Sequence, residues 1–344
     1  PLIIFLYHFS LKNEGIPKIR TCKLLELIGN TPLVKINNFD TGPCELFVKL
    51  ENMNPAGSIK DRIAWYMIDY FERTGELKPG GTIVEATAGN TGLGLAFIAV
   101  RKNYKLIIVI PDKMSQAKID HLRSCGAKVI ITRSDVEKGH PEYYQDYAKR
   151  IAQETKDAVY VNQFGNPINV LAHEKSTAPE IWEQMGHNID AFVCGVGTGG
   201  TLTGVGNFFK KIKEDFATNF EIIVADPEGS IIAPLVNTGK MIKPGKWLIE
   251  GIGEDFVPPI CNLDYISKAY TVSDKESFKM ARELLKKEGL YAGSTSGALL
   301  AVALRYCQEQ TSSKRVCTLI CDGGAKYQDK MYNDAWLKKQ GIVL

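Results

Sequence analysis

Lys60 falls where the turn Asn54-Pro55-Ala56-Gly57-Ser58-Ile59 gives way to a helical pattern, so it faces the positive end of a helix dipole. An ammonium is disfavoured there and the free amine or an imine is easier to reach, which suits covalent chemistry with an aldehyde. Three further strand-to-helix turns carry groups that could serve such chemistry. Cys194-Gly195-Val196-Gly197-Thr198-Gly199-Gly200-Thr201 is an anion cradle: its backbone N–H groups converge on phosphate oxygens and the dipole adds to the attraction. Thr87-Ala88-Gly89-Asn90-Thr91-Gly92 offers N–H groups, hydroxyls and an amide, enough to hold a carboxylate without a basic side chain. Ala292-Gly293-Ser294-Thr295-Ser296-Gly297-Ala298 again puts hydroxyls where a helix begins; taken singly, each turn also reads as ordinary N-capping.

Gly195-x-Gly197-x-x-Gly200 also matches the dinucleotide fingerprint, which keeps a nicotinamide oxidoreductase as a rival. The acidic residue ending the next strand, Asp226, lies 26 positions beyond the last glycine, past the ~20 usual for a ribose contact. No Gly-Lys-Ser/Thr follows the glycines, which disfavours a nucleoside-triphosphate loop, and threonine hydroxyls stand in place of a cation.

The elements that must position these turns are legible as apolar runs of strand length alternating with amphipathic stretches of helix length, the pattern of parallel α/β sheets. Strands are expected at 82–86, 105–110, 128–132, 191–194, 221–225 and 315–321, and helices at about 60–75, 91–102, 115–125, 141–155, 199–213, 275–288 and 295–308. A break at 155–160 divides a smaller, mobile α/β domain at 45–156 from a larger one built of 1–44 and 157–344, with the site in the cleft between them.

The chain's 344 residues, 44% of them hydrophobic, suffice for about two domains. Lys plus Arg number 42 and Asp plus Glu 39, leaving +3, so the balance of charge points to small-molecule partners and away from nucleic acid or an anionic membrane. The eight cysteines (Cys22, Cys44, Cys125, Cys194, Cys261, Cys307, Cys317, Cys321) form no C-x-x-C pair and read as buried thiols of a reducing, cytoplasmic compartment. The apolar start, Pro1 to Phe9, is shorter than the ~20 residues that span a bilayer and lacks signal-peptide features; it is expected to be an arm packed on a neighbouring surface. The five histidines show no metal-ligand spacing, and no metal is expected.

Seven ordered segments resemble the cysteine synthase and cystathionine β-synthase family: Ile28-Gly29-Asn30-Thr31-Pro32-Leu33-Val34, the Lys60 segment, the Thr87 turn, Gln163-Phe164-Gly165-Asn166-Pro167, the Gly195 loop, Glu250-Gly251-Ile252-Gly253 and the Ser294 turn. The likeness runs from about 22 to 338. It implies a two-domain, tryptophan synthase β-like fold with pyridoxal 5'-phosphate as cofactor. By the same likeness Lys60 binds the cofactor aldehyde and acts as general base, Asn90 partners the ring hydroxyl, and Gly197, Thr198, Gly199, Gly200 and Thr201 hold the phosphate. Thr295 lies against the pyridine nitrogen, while Thr87, Ala88, Gly89, Thr91, Gln163 and Gly251 receive the substrate. Position 88 more usually holds serine, which here leaves a backbone N–H in place of a hydroxyl.

The implied reaction is β-replacement: serine or O-acetylserine loses its β-substituent and a thiol adds. Lys113-Met114-Ser115, Ile119-Asp120-His121-Leu122-Arg123, Asp226-Pro227-Glu228-Gly229-Ser230, Glu250 to Phe256 and Asn333-Asp334-Ala335-Trp336 are nearer cystathionine β-synthase; Phe164, His173-Glu174-Lys175 and Pro179-Glu180-Ile181-Trp182 are nearer cysteine synthase. The balance favours serine and homocysteine as substrates, with sulfide as the alternative nucleophile and a non-enzymatic sensor as a rival of another kind. A homodimer is expected, without the C-terminal regulatory tandem or N-terminal haem-binding segment of longer relatives.

Overall fold

The computed structural model describes residues 23–344 except Lys113, Ser115, Lys138, Ala217 and Thr218. The apolar start, Cys22 and two members of the Lys113-Met114-Ser115 segment therefore lie outside the described residues. In chain order the elements are β1 (Leu33–Lys35), β2 (Glu45–Lys49), α1 (Lys60–Arg73), β3 (Thr82–Ala86), α2 (Asn90–Lys102), β4 (Lys105–Pro111), α3 (Gln116–Ser124) and β5 (Lys128–Thr132). Then follow α4 (Tyr144–Glu154), β6 (Ala158–Tyr160), α5 (Pro167–Ala172), α6 (Ala178–Gln184), β7 (Ala191–Gly195), α7 (Gly200–Phe216), β8 (Glu221–Pro227) and α8 (Ile232–Thr238). The chain closes with β9 (Ile266–Val272), α9 (Asp274–Glu288), α10 (Ser294–Gln308), β10 (Arg315–Leu319) and α11 (Asp334–Lys339).

These form two sheets. One has six strands in the order β1-β2-β10-β7-β8-β9, the other four in the order β5-β4-β3-β6. Every pairing is parallel except β1 with β2. The continuous apolar runs explain why: β3 is buried at all five positions and β7 at four of five, as strands are when helices cover both faces. In α10, Leu299, Leu300, Val302 and Ala303 are all fully buried, and a helix apolar around its whole circumference belongs inside the larger layer.

The sheets divide differently from the 45–156 limits expected of the smaller unit. Glu45–Lys49 pairs with Arg315–Leu319 in the six-stranded sheet, and Ala158–Tyr160 pairs with Thr82–Val84 in the four-stranded one. Register decides both cases, because β2 completes the ladder of a strand 270 positions later, a long-range pairing that local pattern does not encode. The stretch between β6 and β7, given no element from sequence, holds α5, a π-helical turn at His173–Thr177 and α6. Pro167 opens this continuous run, and the π-helical turn followed by Pro179 interrupts the 3.6-residue spacing by which a helix is read from sequence. Strand β9 was also missed, since Ser267, Lys268 and Thr271 break its apolar run at a sheet edge.

Candidate active site

Helix α1 starts at Lys60 itself, and its start is held from several sides. The Lys60 backbone N–H donates to Ser58 Oγ at 3.2 Å, and Ser58 bridges to Asp322 at the exit of β10. Two residues further on, Arg62 is buried between Glu51 and Glu180, donating from Nε to Glu51 Oε2 and from Nη1 to Glu180 Oε1, each at 2.7 Å. Lys49 Nζ joins the cluster through Glu180 Oε2 at 2.7 Å. Lys60 thus projects from a fixed helix end onto the wall of a cavity of ≈ 630 Å³. Burial lowers its pKa below the ordinary 10.5, with Cys321, Glu254 and Asp322 pulling the other way.

The Thr87 turn, from the end of β3 to the start of α2, lines the same cavity through Thr87, Ala88, Gly89, Asn90 and Thr91. Thr91 Oγ1 donates to Gln163 Oε1 at 2.7 Å, and the Gln163 backbone N–H donates to Glu85 Oε2 at 3.0 Å. Burial pushes the Glu85 carboxyl up to about 8, against the pull of the Ala86 and Gln163 N–H groups. Asn90 is gripped at both ends of its amide: Nδ2 donates to Asp322 Oδ2 at 2.8 Å, and Oδ1 accepts from Lys326 Nζ at 2.5 Å.

Opposite them lies the glycine loop between β7 and α7. Gly199 has φ +82°, and a Cβ there would overlap Cys261; a Cβ on Gly197 would come within 2.5 Å of the Gly251 carbonyl oxygen. Only glycine allows so close a wrap, and it leaves the first-turn N–H groups of α7 without intrahelical acceptors. Thr198 Oγ1 accepts from Asn169 Nδ2 at 3.0 Å, while Thr201 Oγ1 is 3.3 Å from His173 Nε2. Burial, with Lys60 and Arg62 adding to it, lowers the pKa of His173 well below 6.5, so that side chain is neutral. Thr295, at the start of α10, donates to the Glu250 carbonyl, and Gly251 lies beside it.

Of the site residues read from sequence, Lys60, Thr87, Ala88, Gly89, Asn90, Thr91, Gln163, Gly197, Thr198, Gly199, Thr201, Gly251 and Thr295 all line this one cavity. Gly200 does not; it is buried as the first residue of α7, pressed against the Asn169 amide. Asp226 does not line the cavity: its Oδ2 accepts the Ala233 N–H at 2.7 Å, tying β8 to α8, which removes the acidic contact a dinucleotide would need. Among the described residues no cluster of His, Cys, Asp and Glu is arranged to hold a metal ion. The neutral donors of the glycine loop and the amine of Lys60 on one cavity wall fit a molecule with a phosphate at one end and an aldehyde at the other.

Several charged groups of the cavity were given no role from the sequence. Glu250 Oε2 accepts from Lys118 Nζ at 2.8 Å and its Oε1 accepts from Lys330 Nζ, so two ammonium groups flank one carboxylate. Burial tends to raise the Glu250 pKa, but the two lysines prevail and lower it. Glu254 is pushed up to about 8 by burial and by Asp255, with Lys60 opposing. Glu250 and Glu254 lie in a segment that carried the family likeness, whereas Lys118 and Lys330 had no signal beyond being charged.

Residues 24–322 match the family described as pyridoxal-phosphate dependent enzyme. Cystathionine beta-synthase of Apis mellifera is 41% identical over 335 residues, covering 96% of this chain and 65% of that protein. The namesake from Dictyostelium discoideum is 42% identical over 93% of this chain and 63% of its own length, so the chain spans less than two thirds of either relative. Cysteine synthase 1 of Neurospora crassa is 39% identical, covering 96% of this chain and 88% of that protein. Among solved structures, the O-acetylserine dependent cystathionine beta-synthase from Helicobacter pylori superposes with a TM-score of 0.80 at 36% identity, covering 91% of this chain and 98% of that one.

Proposed function

The chain belongs to the pyridoxal-phosphate-dependent enzyme family, and from that premise we propose that it catalyses β-replacement on a small amino acid, joining serine to homocysteine. The observation that carries the reading is the convergence of Lys60, the Thr87–Thr91 turn and the Gly197–Thr201 loop on one cavity. When bound, pyridoxal phosphate supplies an aldehyde for covalent attachment and a conjugated ring that takes up the electron pair freed at the substrate Cα. The protein supplies the rest. Gly197, Thr198, Gly199 and Thr201 would hold the phosphate, with Gly200 setting the helix end behind them; Asn90 would donate to the ring oxygen and Thr295 would face the ring nitrogen.

Thr87, Ala88, Gly89, Thr91 and Gln163 receive the amino-acid carboxylate through N–H, hydroxyl and amide groups, with Gly251 closing the opposite side. The Lys60 amine, its pKa lowered by burial, takes the Cα proton and returns it when the product forms. Phe164 adds an apolar ring to the cavity lining beside Gln163.

The charges of the cavity support homocysteine as the nucleophile. Homocysteine carries a carboxylate and an ammonium as well as its thiol, and the cavity offers the Lys118–Glu250–Lys330 cluster, whose ammonium groups suit the first and whose ionised carboxylate suits the second. Sulfide needs neither. A sulfide-using cysteine synthase is the second reading; it is favoured by the apolar Phe164 and by the 88% coverage of the Neurospora crassa enzyme. The proposal extends to a cytoplasmic homodimer in which the smaller layer closes on the cavity. Among the described residues no helix is long and apolar enough to cross a membrane.

Product analysis with serine, O-acetylserine and cysteine, each offered homocysteine or sulfide, tests the reading. Serine with homocysteine should give the highest kcat/KM. In Lys330→Met the KM for homocysteine should rise about tenfold, the loss of one charge-assisted hydrogen bond, with little change for sulfide. A higher kcat/KM with sulfide, and no selective effect of Lys330→Met, would transfer the assignment to the second reading.

A further inference from the structure

Lys326 comes from the turn Gly324–Tyr327 that follows β10, and its ammonium donates to Asn90 Oδ1 at 2.5 Å, on the first residue of α2. Asp61 faces it from α1 and Asp322 from its own turn. The residue hydrogen-bonds the amide and forms an ion pair with neither carboxylate among the described residues.

Asn90 is then polarised from both ends. Its carbonyl oxygen accepts from a cation, and one hydrogen of its NH2 group goes to Asp322 Oδ2 at 2.8 Å. The Asp322 carboxylate is itself pinned, 1% exposed, with Tyr327 OH donating to the same oxygen at 2.9 Å. One amide hydrogen remains uncommitted, on a residue that lines the cavity. A cation on the oxygen of an amide draws electron density from its nitrogen, and that makes the remaining N–H a stronger donor.

We propose that Lys326 is a positioning residue which, through Asn90, fixes the orientation and raises the donor strength of the amide that meets the ring oxygen of the cofactor. The inference rests on the cofactor reading above and deepens it. A stronger donor and a nearby positive charge both favour the deprotonated form of the lysine–cofactor linkage, so Lys326 keeps that linkage more acidic than Asn90 alone would. Burial lowers the Lys326 pKa while Asp322 and Asp61 raise it, and Lys60 itself is faced by Cys321, Glu254 and Asp322; these groups stay in place when Lys326 is changed.

The experiment is a visible-absorbance pH titration of the holoenzyme as wild type, Lys326→Met, Lys326→Arg, Asn90→Ala and the Asn90→Ala/Lys326→Met double variant. Lys326→Met should raise the chromophore pKa by about one unit, a tenfold weaker acid; Lys326→Arg should restore it, which also shows that the turn folds without lysine. In the Asn90→Ala background, Lys326→Met should add no further shift. Superimposable titrations of wild type and Lys326→Met would overturn the inference, as would an equal shift with Asn90 removed. A wild-type protein with no visible chromophore after reconstitution would instead defeat the cofactor reading, and this inference with it.

Discussion

Replacing Arg62 by alanine removes the cation that fastens the start of α1, two residues from Lys60. The side chain is 1% exposed and Glu51 is fully buried, so neither charge can fall back on water. Arg62 makes a forked pair with each carboxylate: Nε and Nη2 to Glu51 at 2.7 and 2.8 Å, Nη1 and Nη2 to Glu180 at 2.7 Å each. Without it, Glu180 keeps Lys49, but among the described residues Glu51 is left with Thr31 Oγ1 and Asn54 Nδ2 as side-chain donors. Breaking such a buried pair from one side costs about 3–5 kcal/mol, because the remaining charge stays desolvated. Arg73 on the same helix supplies the control. Its i,i+4 partner Asp69 is exposed, as is Arg73 itself, and Arg73→Ala should cost about 0.5 kcal/mol or less. Urea denaturation of the two holoenzyme variants, followed by circular dichroism, measures the difference. The Arg62 variant should also lose cofactor. Equal stabilities for the two variants would refute the claim that this buried network holds the lysine end of the helix.

Glu85 ties stability to pH. Its folded pKa is raised from 4.5 to about 8, so between those values the unfolded chain gives up a proton that the folded protein keeps, and stability falls as pH rises. The full span amounts to about 4–5 kcal/mol. Glu85→Gln should flatten that part of the urea midpoint's pH dependence; curves parallel to wild type would contradict it. Gly199→Ala should abolish retention of the cofactor, since its Cβ would overlap Cys261 at φ +82°. Gly186→Ala, at φ +63° with open space around it, should cost about 1–2 kcal/mol of backbone strain and leave cofactor binding intact, as equilibrium dialysis of the apoproteins would record.

The sequence made the strand-to-helix turns legible because their chemistry is local. A glycine loop closing an apolar strand, or hydroxyls at a helix start, declares itself within eight residues, and those turns line one cavity. Sheet membership is not local. β2 joins a ladder formed by strands far along the chain, and β6 crosses the limit expected of the smaller unit, because pairing partners are set by the fold and not by the strand. The same distinction separates the cavity residues that were read from those that were not. Lys118 and Lys330 come from distant segments and each alone reads as an ordinary solvated charge, and only the fold brings both to Glu250. Lys326 gains its meaning only from Asn90, 236 positions earlier.

The covalent role of Lys60 is the claim on which the rest depends. Holoenzyme reduced with borohydride, digested and examined by mass spectrometry should yield a single cofactor-modified peptide with the added mass on Lys60, and Lys60→Ala should give none. An adduct on Lys326, Lys118 or any other lysine, or a reduced wild-type protein with no adduct under cofactor-replete conditions, would contradict the account.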